Sequence, residues 1–363
     1  MNKFLLRNKT IIKNRKFEKR LTTLPPKIFL KIAQIDELKG QWTGGANLNP
    51  HLLGRLKRAV LITSTGASTR IEGARLTDEN VEDLMQGIAM QKFTDRDKQE
   101  VQGYFELLQI IFDTWDSIKF SENSIKHLHQ ELLKYVEKDQ DHRGKYKSTD
   151  NKVEMVDEAG KRIGVIFDTT PAYLTPKYML ELVEWTKYAL EAKLSHPLII
   201  VGNFLVEYLN IHPFKDGNGR LSRILTNLLL LQAGYLYTPY VSHEKLIEDQ
   251  KPQYYLALRK SQRTFKKGFG DITPWLEFFL EIILAQSQKV ISLMSGENIE
   301  DILSNKQIAV WQYLQEVDES TPKEIASKTN VAYSTVRQTL SKLLDLKKIE
   351  RIGMGRSSRY RKI

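Results

Sequence analysis

The 363-residue chain contains no cysteine. Disulfides, cysteine-ligated zinc and thiol catalysis are therefore excluded together. No apolar run reaches the ~18 residues that span a bilayer. The longest candidate, Leu276 to Met294, is interrupted by Glu277, Glu281 and Lys289 and reads as an amphipathic helix. The basic N-terminus lacks the apolar block of ~7–15 residues of a secretory signal, so a cytoplasmic address is expected. Wholesale disorder is excluded as well, because 41% of residues are apolar against 27% charged. At roughly 100–200 residues per domain, two or three domains are expected.

The net charge of +11 is carried at the two ends. Residues 1–20 have a net charge of +7, residues 347–363 have +6, and everything between is close to neutral at −2. Basic ends on a neutral body suggest a polyanion partner, with simple solvation as the alternative for residues 1–20.

Apolar periodicity places helices at about 28–40, at intervals over 52–118, and at about 124–136, with a Gly/Asn-rich loop over 41–50. Residues 151–167 break this pattern. Val153, Met155 and Val156, then Ile163, Val165, Ile166 and Phe167, read as a β-hairpin turning at Gly160. Helices resume over 177–194, 197–210, 218–233, 252–263 and 274–294, and Ser295 to Asn298 reads as a boundary.

The sharpest signal is His212-Pro-Phe-Lys-Asp-Gly-Asn-Gly-Arg-Leu-Ser-Arg223, which joins two apolar helices. Gly217-Asn218-Gly219 precedes a helix, where successive N–H groups and the helix dipole form an anion pocket. Arg220 and Arg223 share a face of its first turn and reach toward the same anion. Asp216 suits Mg²⁺, which prefers one or two carboxylates plus phosphate oxygens. His212 has the ordinary pKa that suits proton transfer near neutrality. These residues describe a nucleotide or phosphate site with a base at its edge.

The segment resembles the Fic signature, His-x-Phe-x-(Asp/Glu)-Gly-Asn-Gly-Arg-x-x-Arg, at every specified position: His212, Phe214, Asp216, Gly217, Asn218, Gly219, Arg220 and Arg223. Glu100-Val-Gln-Gly-Tyr104, Leu128-His129, Gly144-Lys-Tyr146, His196-Pro197 and Pro274-Trp275 are similar to the same family, so the resemblance spans about residues 20–290. It implies a mainly α fold: a Fic-type helical bundle with a short β-hairpin flap that holds a target segment by strand addition. It also implies transfer of AMP from ATP to a Tyr, Thr or Ser hydroxyl of a protein, with release of pyrophosphate. His212 is then the general base and Asp216 the Mg²⁺ ligand. Lys215, Asp216, Gly217, Asn218, Gly219, Arg220 and Arg223 bind ATP, the Asn218 side chain among them, and Glu72 belongs to the same ATP site. Phe214 anchors the loop. Gly219, where a phosphate-transferring branch carries Lys, favours AMP transfer. Tyr254 and Tyr255 read either as core or as walls beside the adenine.

Ser68-Thr-Arg-Ile-Glu72-Gly73 resembles the family's inhibitory element, (Ser/Thr)-x-x-x-Glu-(Gly/Asn), here N-terminal to the motif. In that role Glu72 pairs with Arg223 and blocks seating of the ATP γ-phosphate. Residues 300–363 resemble a winged helix-turn-helix, a small α+β domain. Ser334, Thr335, Arg337 and Gln338 lie on the outer face of its second helix, and Arg356 and Arg359 on a basic wing, which suits DNA. The expected organisation is a basic segment (1–20), an N-terminal helical region with the inhibitory helix (21–100), a catalytic domain (101–294) and the winged helix (300–363). The alternatives are a nucleotide-sensing DNA-binding regulator, and AMP removal or phosphate transfer on the same scaffold. Homo-dimerisation is left open.

Overall fold

The computed structural model describes residues 15–45, 50–87, 95–156, 162–266, 268–295, 303–346, 348–353 and 358–363. The helices are α1 (Arg15–Lys19), α2 (Pro26–Gly45), α3 (Pro50–Ile71), α4 (Asp78–Met85), α5 (Asp95–Thr114), α6 (Glu122–Leu132), α7 (Thr175–Glu191) and α8 (Pro197–Ile211). They continue with α9 (Asn218–Gln232), α10 (His243–Asp249), α11 (Lys251–Gln262), α12 (Thr273–Ser295), α13 (Asn305–Glu316), α14 (Pro322–Thr329) and α15 (Tyr333–Asp345). The strands are β1 (Lys152–Val156), β2 (Arg162–Asp168), β3 (Ile349–Ile352) and β4 (Arg359–Lys362). The chain is predominantly helical, as its periodicity predicts.

Two compact units divide these elements, one drawing on residues up to Thr43 and on Val60–Gln288, the other on Gly44–Ala59 and Lys289–Ile363. The bounds fall inside α2, α3 and α12. Helices on both sides of residue 100 fall in the first unit. The expected loop over 41–50 starts late, because α2 continues through Gly44-Gly45.

In the first unit, α8 and α9 are buried nearly all round, which marks them as the centre of the bundle. The Trp275 indole N–H on α12 donates to the Gly202 carbonyl of α8 at 2.8 Å. The basic N-terminal segment is partly structural. Arg20, 4% exposed, reaches the buried Glu207 of α8 at 2.6 Å, and Lys16 joins it at 3.2 Å. Burial would raise the Glu207 carboxyl, but these two cations hold it below its usual value. These two charges meet a buried carboxylate. Residues 1–14 of the expected basic segment lie outside the described residues.

The hairpin forms as an antiparallel β1–β2 pair, with Val153 opposite Phe167 and Val156 opposite Arg162. Its expected turn at Gly160 lies outside the described residues.

The second unit packs Val310, Trp311 and Leu314 of α13 with Ile325, Val336, Leu340, Leu343 and Ile349. Thr321 and Glu324 form a capping box on α14 with Pro322 in its first turn. β3 and β4 pair antiparallel, and Ser320 bridges Tyr360.

Candidate active site

The site lies in the first unit, in the connection from α8 to α9. α8 ends at His212, whose backbone is left-handed (φ 52°, ψ 62°). Its N–H still bonds to Tyr208 O at 2.9 Å. Nδ1 lies 3.4 Å from the Leu209 carbonyl. Since a carbonyl only accepts, Nδ1 carries the proton and Nε2 keeps a lone pair. Burial lowers the imidazole to about 4, and the nearby Lys147 ammonium adds to the effect. His212 is therefore neutral at neutral pH, the form a base requires.

The loop is braced from several directions. The Asn218 side chain accepts from Phe214 N–H at 2.9 Å and donates to Phe214 O at 2.8 Å. The sequence reading places this side chain on phosphate; here both ends of its amide are engaged by the loop. Phe214 is fully buried, as an anchor should be, and stacks on His129 with ring centroids 3.8 Å apart. His129 Nε2 bonds the Asp216 carbonyl at 3.0 Å and Nδ1 accepts from Gly144 N–H at 2.9 Å. Burial lowers this imidazole too, to about 4.

Gly217 begins α9 at φ 76°. A Cβ there would be strained by the left-handed backbone, although it would meet Leu132 and His129 only at ordinary contact distance. Gly217→Ala is expected to cost about 1–3 kcal/mol, read as a lower urea midpoint with unchanged slope.

Asp216 lines the cleft with one carboxylate, which accepts from Gly217 N–H at 2.6 Å. Its other oxygen meets Arg96 at 2.8 Å and Arg220 at 3.1 Å. Burial would raise this acid, but Arg220, the Gly217 amide and Arg96 hold it below its usual value. Arg220, 2% exposed, also pairs with Glu100 at 2.8 Å, and Glu100 holds Arg96 at the same distance.

Glu72 follows the last turn of α3, and Gly73 leaves the helix at φ 104°. The Glu72 carboxylate accepts from Arg223 Nη2 at 2.7 Å. Arg223 Nε donates to Ser68 Oγ at 2.7 Å and Nη2 to Ser68 O at 2.9 Å. All three residues of the predicted element therefore meet the second motif arginine or stop its helix. Burial opposes the Arg223 charge, but Glu72 raises its pKa beyond the usual value. Glu72 lines the cleft with His212, Lys215, Asp216 and Arg220, whereas Arg223 lies behind it. A Cβ on Gly219 would run into the Glu72 carboxylate, its Cδ lying 3.0 Å away. Glycine at 219 is thus what lets Glu72 seat there. Arg70, two residues before Glu72, fixes this end of α3 by bonding Glu248 at 2.6 Å and Asp78 at 2.9 Å.

Tyr254 and Tyr255 both line the cleft and meet edge to face, centroids 5.1 Å apart. Tyr254 is also core, 3% exposed beside Trp275 and Phe278. In the second unit, Ser334, Arg337 and Gln338 are exposed on α15 and Thr335 is half-buried. Arg359 pairs with Glu319 at 2.8 Å. Arg356 lies outside the described residues.

Several site residues carry no motif. Arg96, Glu100, His129 and Glu244 reach the site from well outside the signature. Glu244 is fully buried and binds Ser64, Asn227 and Tyr104, which stabilises the ground behind Arg223. Glu100 and His129 fall in segments whose likeness is legible without a role, and Arg96 gives no signal at all.

Residues 119–230 match the model of the Fic/DOC family. The chain is similar to the protein adenylyltransferase Fic of Drosophila virilis, 32% identical over 130 residues, 34% of this chain and 26% of the relative. It is similar to a Fido domain-containing protein of Dictyostelium discoideum, 36% identical over 111 residues, 30% of this chain and 69% of the relative. In structure it is similar to a Fic family protein from Desulfovibrio desulfuricans, at 26% identity and a TM-score of 0.62, over 94% of this chain and 97% of that one. The chain spans less than half the length of the curated adenylyltransferases it matches.

Proposed function

The chain belongs to the Fic/DOC family, and we propose that it is a protein adenylyltransferase held in check by its own Glu72. One observation carries the reading: a neutral imidazole lines a cleft floored by a helix N-terminus and Arg220, with Arg223 buried behind Glu72. The first supplies a base, the second an anion cradle, and both serve nucleotidyl transfer to a hydroxyl.

The target's hydroxyl oxygen attacks the α-phosphorus of ATP, and its proton passes to His212 Nε2. The bond from the α-phosphorus to the bridging oxygen breaks, and pyrophosphate leaves. The N–H groups of Gly217, Asn218 and Gly219 with Arg220 hold the phosphates, Lys215 at the rim adds charge, and Arg223 meets the distal phosphates once Glu72 withdraws. Asp216 fits Mg²⁺, because its carboxylate faces the cleft beside the helix N-terminus, and Mg²⁺ takes one or two carboxylates with its other ligands from phosphate and water. When bound, Mg²⁺ supplies neutralisation of phosphate charge.

ATP labelled at the α- or the γ-phosphate tests the reaction. Protein-bound label from the α position alone supports AMP transfer. Label from the γ position alone would instead mean phosphate transfer. The β1–β2 hairpin is read as the flap that seats the target segment by strand addition.

The second unit is read as a winged helix that binds DNA, because Arg337, Gln338 and Ser334 stand free of its core on one helix face. Duplex DNA should bind with salt-dependent affinity, and Arg337→Ala should weaken it in a titration by fluorescence anisotropy. Salt-independent or absent binding would favour a protein-docking role.

A further inference from the structure

Lys147 is 5% exposed and lies outside the signature. Its ammonium donates to three oxygens from three segments: Asn151 Oδ1 at 2.8 Å, Thr169 Oγ at 2.8 Å and Ile211 O at 3.0 Å. Asn151 precedes β1 and Thr169 follows β2, so they are the two roots of the hairpin. Ile211 precedes His212. The backbone N–H of Lys147 also holds Pro213 O at 2.9 Å, on the other side of His212. Asn151 Nδ2 extends the link to Phe214 O at 3.0 Å, and Thr170 N–H bonds Asn210 O at 3.3 Å.

We propose that Lys147 is a positioning residue for the transfer reaction, tying both roots of the hairpin to the backbone that carries His212. The inference rests on the adenylyltransferase reading for what the alignment achieves. The geometry supplies the rest. A left-handed histidine persists only where its surroundings over-determine it, and here the carbonyls on both sides of it are held by one lysine. An ammonium has three donors, and all three are engaged. Burial lowers this ammonium to about 8, with Asp150 opposing, so the clasp is charged at neutral pH. A target strand added to the hairpin is thereby held in register with the base that deprotonates its hydroxyl. Misplacement by about 1 Å costs such an alignment about 100-fold in rate.

The test uses the full chain with Glu72→Gly as parent, adding Lys147→Met or, separately, Thr169→Val. Met retains the stem and removes all three donors; Val retains the shape of Thr and removes one acceptor of the ammonium together with the hydroxyl that donates to Asn151 O at 2.7 Å. Three readouts are taken: amide exchange at 147–152, 168–171 and 210–214, ATP affinity by calorimetry, and the initial rate of α-phosphate label incorporation into protein. Lys147→Met should speed exchange at the hairpin roots and at 210–214 together. It should cut the labelling rate about 10- to 100-fold while ATP affinity changes less than about twofold. Thr169→Val should shift the same segments by less, and it carries the comparison if Lys147→Met does not fold. Exchange that rises at one segment only, or ATP affinity that falls in step with the rate, would overturn the proposal. If the Glu72→Gly parent takes up no label, the transferase reading fails, and the paired exchange still decides the role of Lys147.

Discussion

Glu72→Gly is expected to raise AMP transfer by about 10- to 100-fold at fixed ATP, because one charge-assisted hydrogen bond contributes about 1.5–3 kcal/mol. The bond is the 2.7 Å contact of the Glu72 carboxylate with Arg223 Nη2. While it stands, Arg223 is buried behind a carboxylate that also repels an incoming phosphate. Removing Glu72 leaves Arg223 fixed by both of its bonds to Ser68, so the guanidinium stays in place and becomes available. The fold should tolerate the change, because the Glu72 side chain is one-third exposed and follows the last turn of α3. Glu72→Gln keeps the shape and removes the charge, and should give an intermediate rise. Initial rates of α-phosphate incorporation for the three proteins check the order. Equal rates would mean that the Glu72–Arg223 pair is structural only.

His212→Ala in the Glu72→Gly background is expected to lower the transfer rate about 10²- to 10⁴-fold, the usual contribution of a general base. ATP affinity should be retained, because the phosphate cradle is built from backbone amides and arginines. The pH dependence carries its own signature. An ordinary histidine loses its base form as pH falls through about 6.5. Burial, with the Lys147 charge, lowers His212 to about 4, so the base form persists well below that. The rate should therefore stay flat from pH 8 to about 6. The same depression has a cost in stability. Below about pH 6.5 the unfolded chain takes up a proton that folded His212 refuses, so stability falls from there toward pH 4. Folded His129, also lowered to about 4, acts in the same direction. An acid limb centred at 6.5 in a protein still folded would contradict this assignment.

How much was legible in the sequence depends on how local each cause was. His212, Asp216, Gly217, Arg220 and Arg223 lie within one turn and one helix start, where spacing alone dictates which groups converge. Glu72 and Ser68 are distant in sequence, and only their likeness to a known pattern connects them with Arg223. Asn218 shows the limit of that likeness: the resemblance sets its side chain at the phosphates, and in the fold both ends of its amide bond Phe214. Arg96, Lys147 and Glu244 were illegible, because a lone polar residue on a helix or loop gives no sign of what it will be buried against. The helix periods were legible. The division into units cuts through α2, α3 and α12, and a helix that runs across a boundary leaves no turn signal there.

The central claim is AMP transfer by His212 under restraint by Glu72. Its most direct test incubates the full chain, its Glu72→Gly variant and the Glu72→Gly/His212→Ala variant with Mg²⁺, α-labelled ATP and a lysate. The account predicts faint label with the first, strong protein-bound label with the second, and loss of that label with the third. No label with any of the three while ATP binding persists would contradict it and leave a nucleotide-sensing protein in its place.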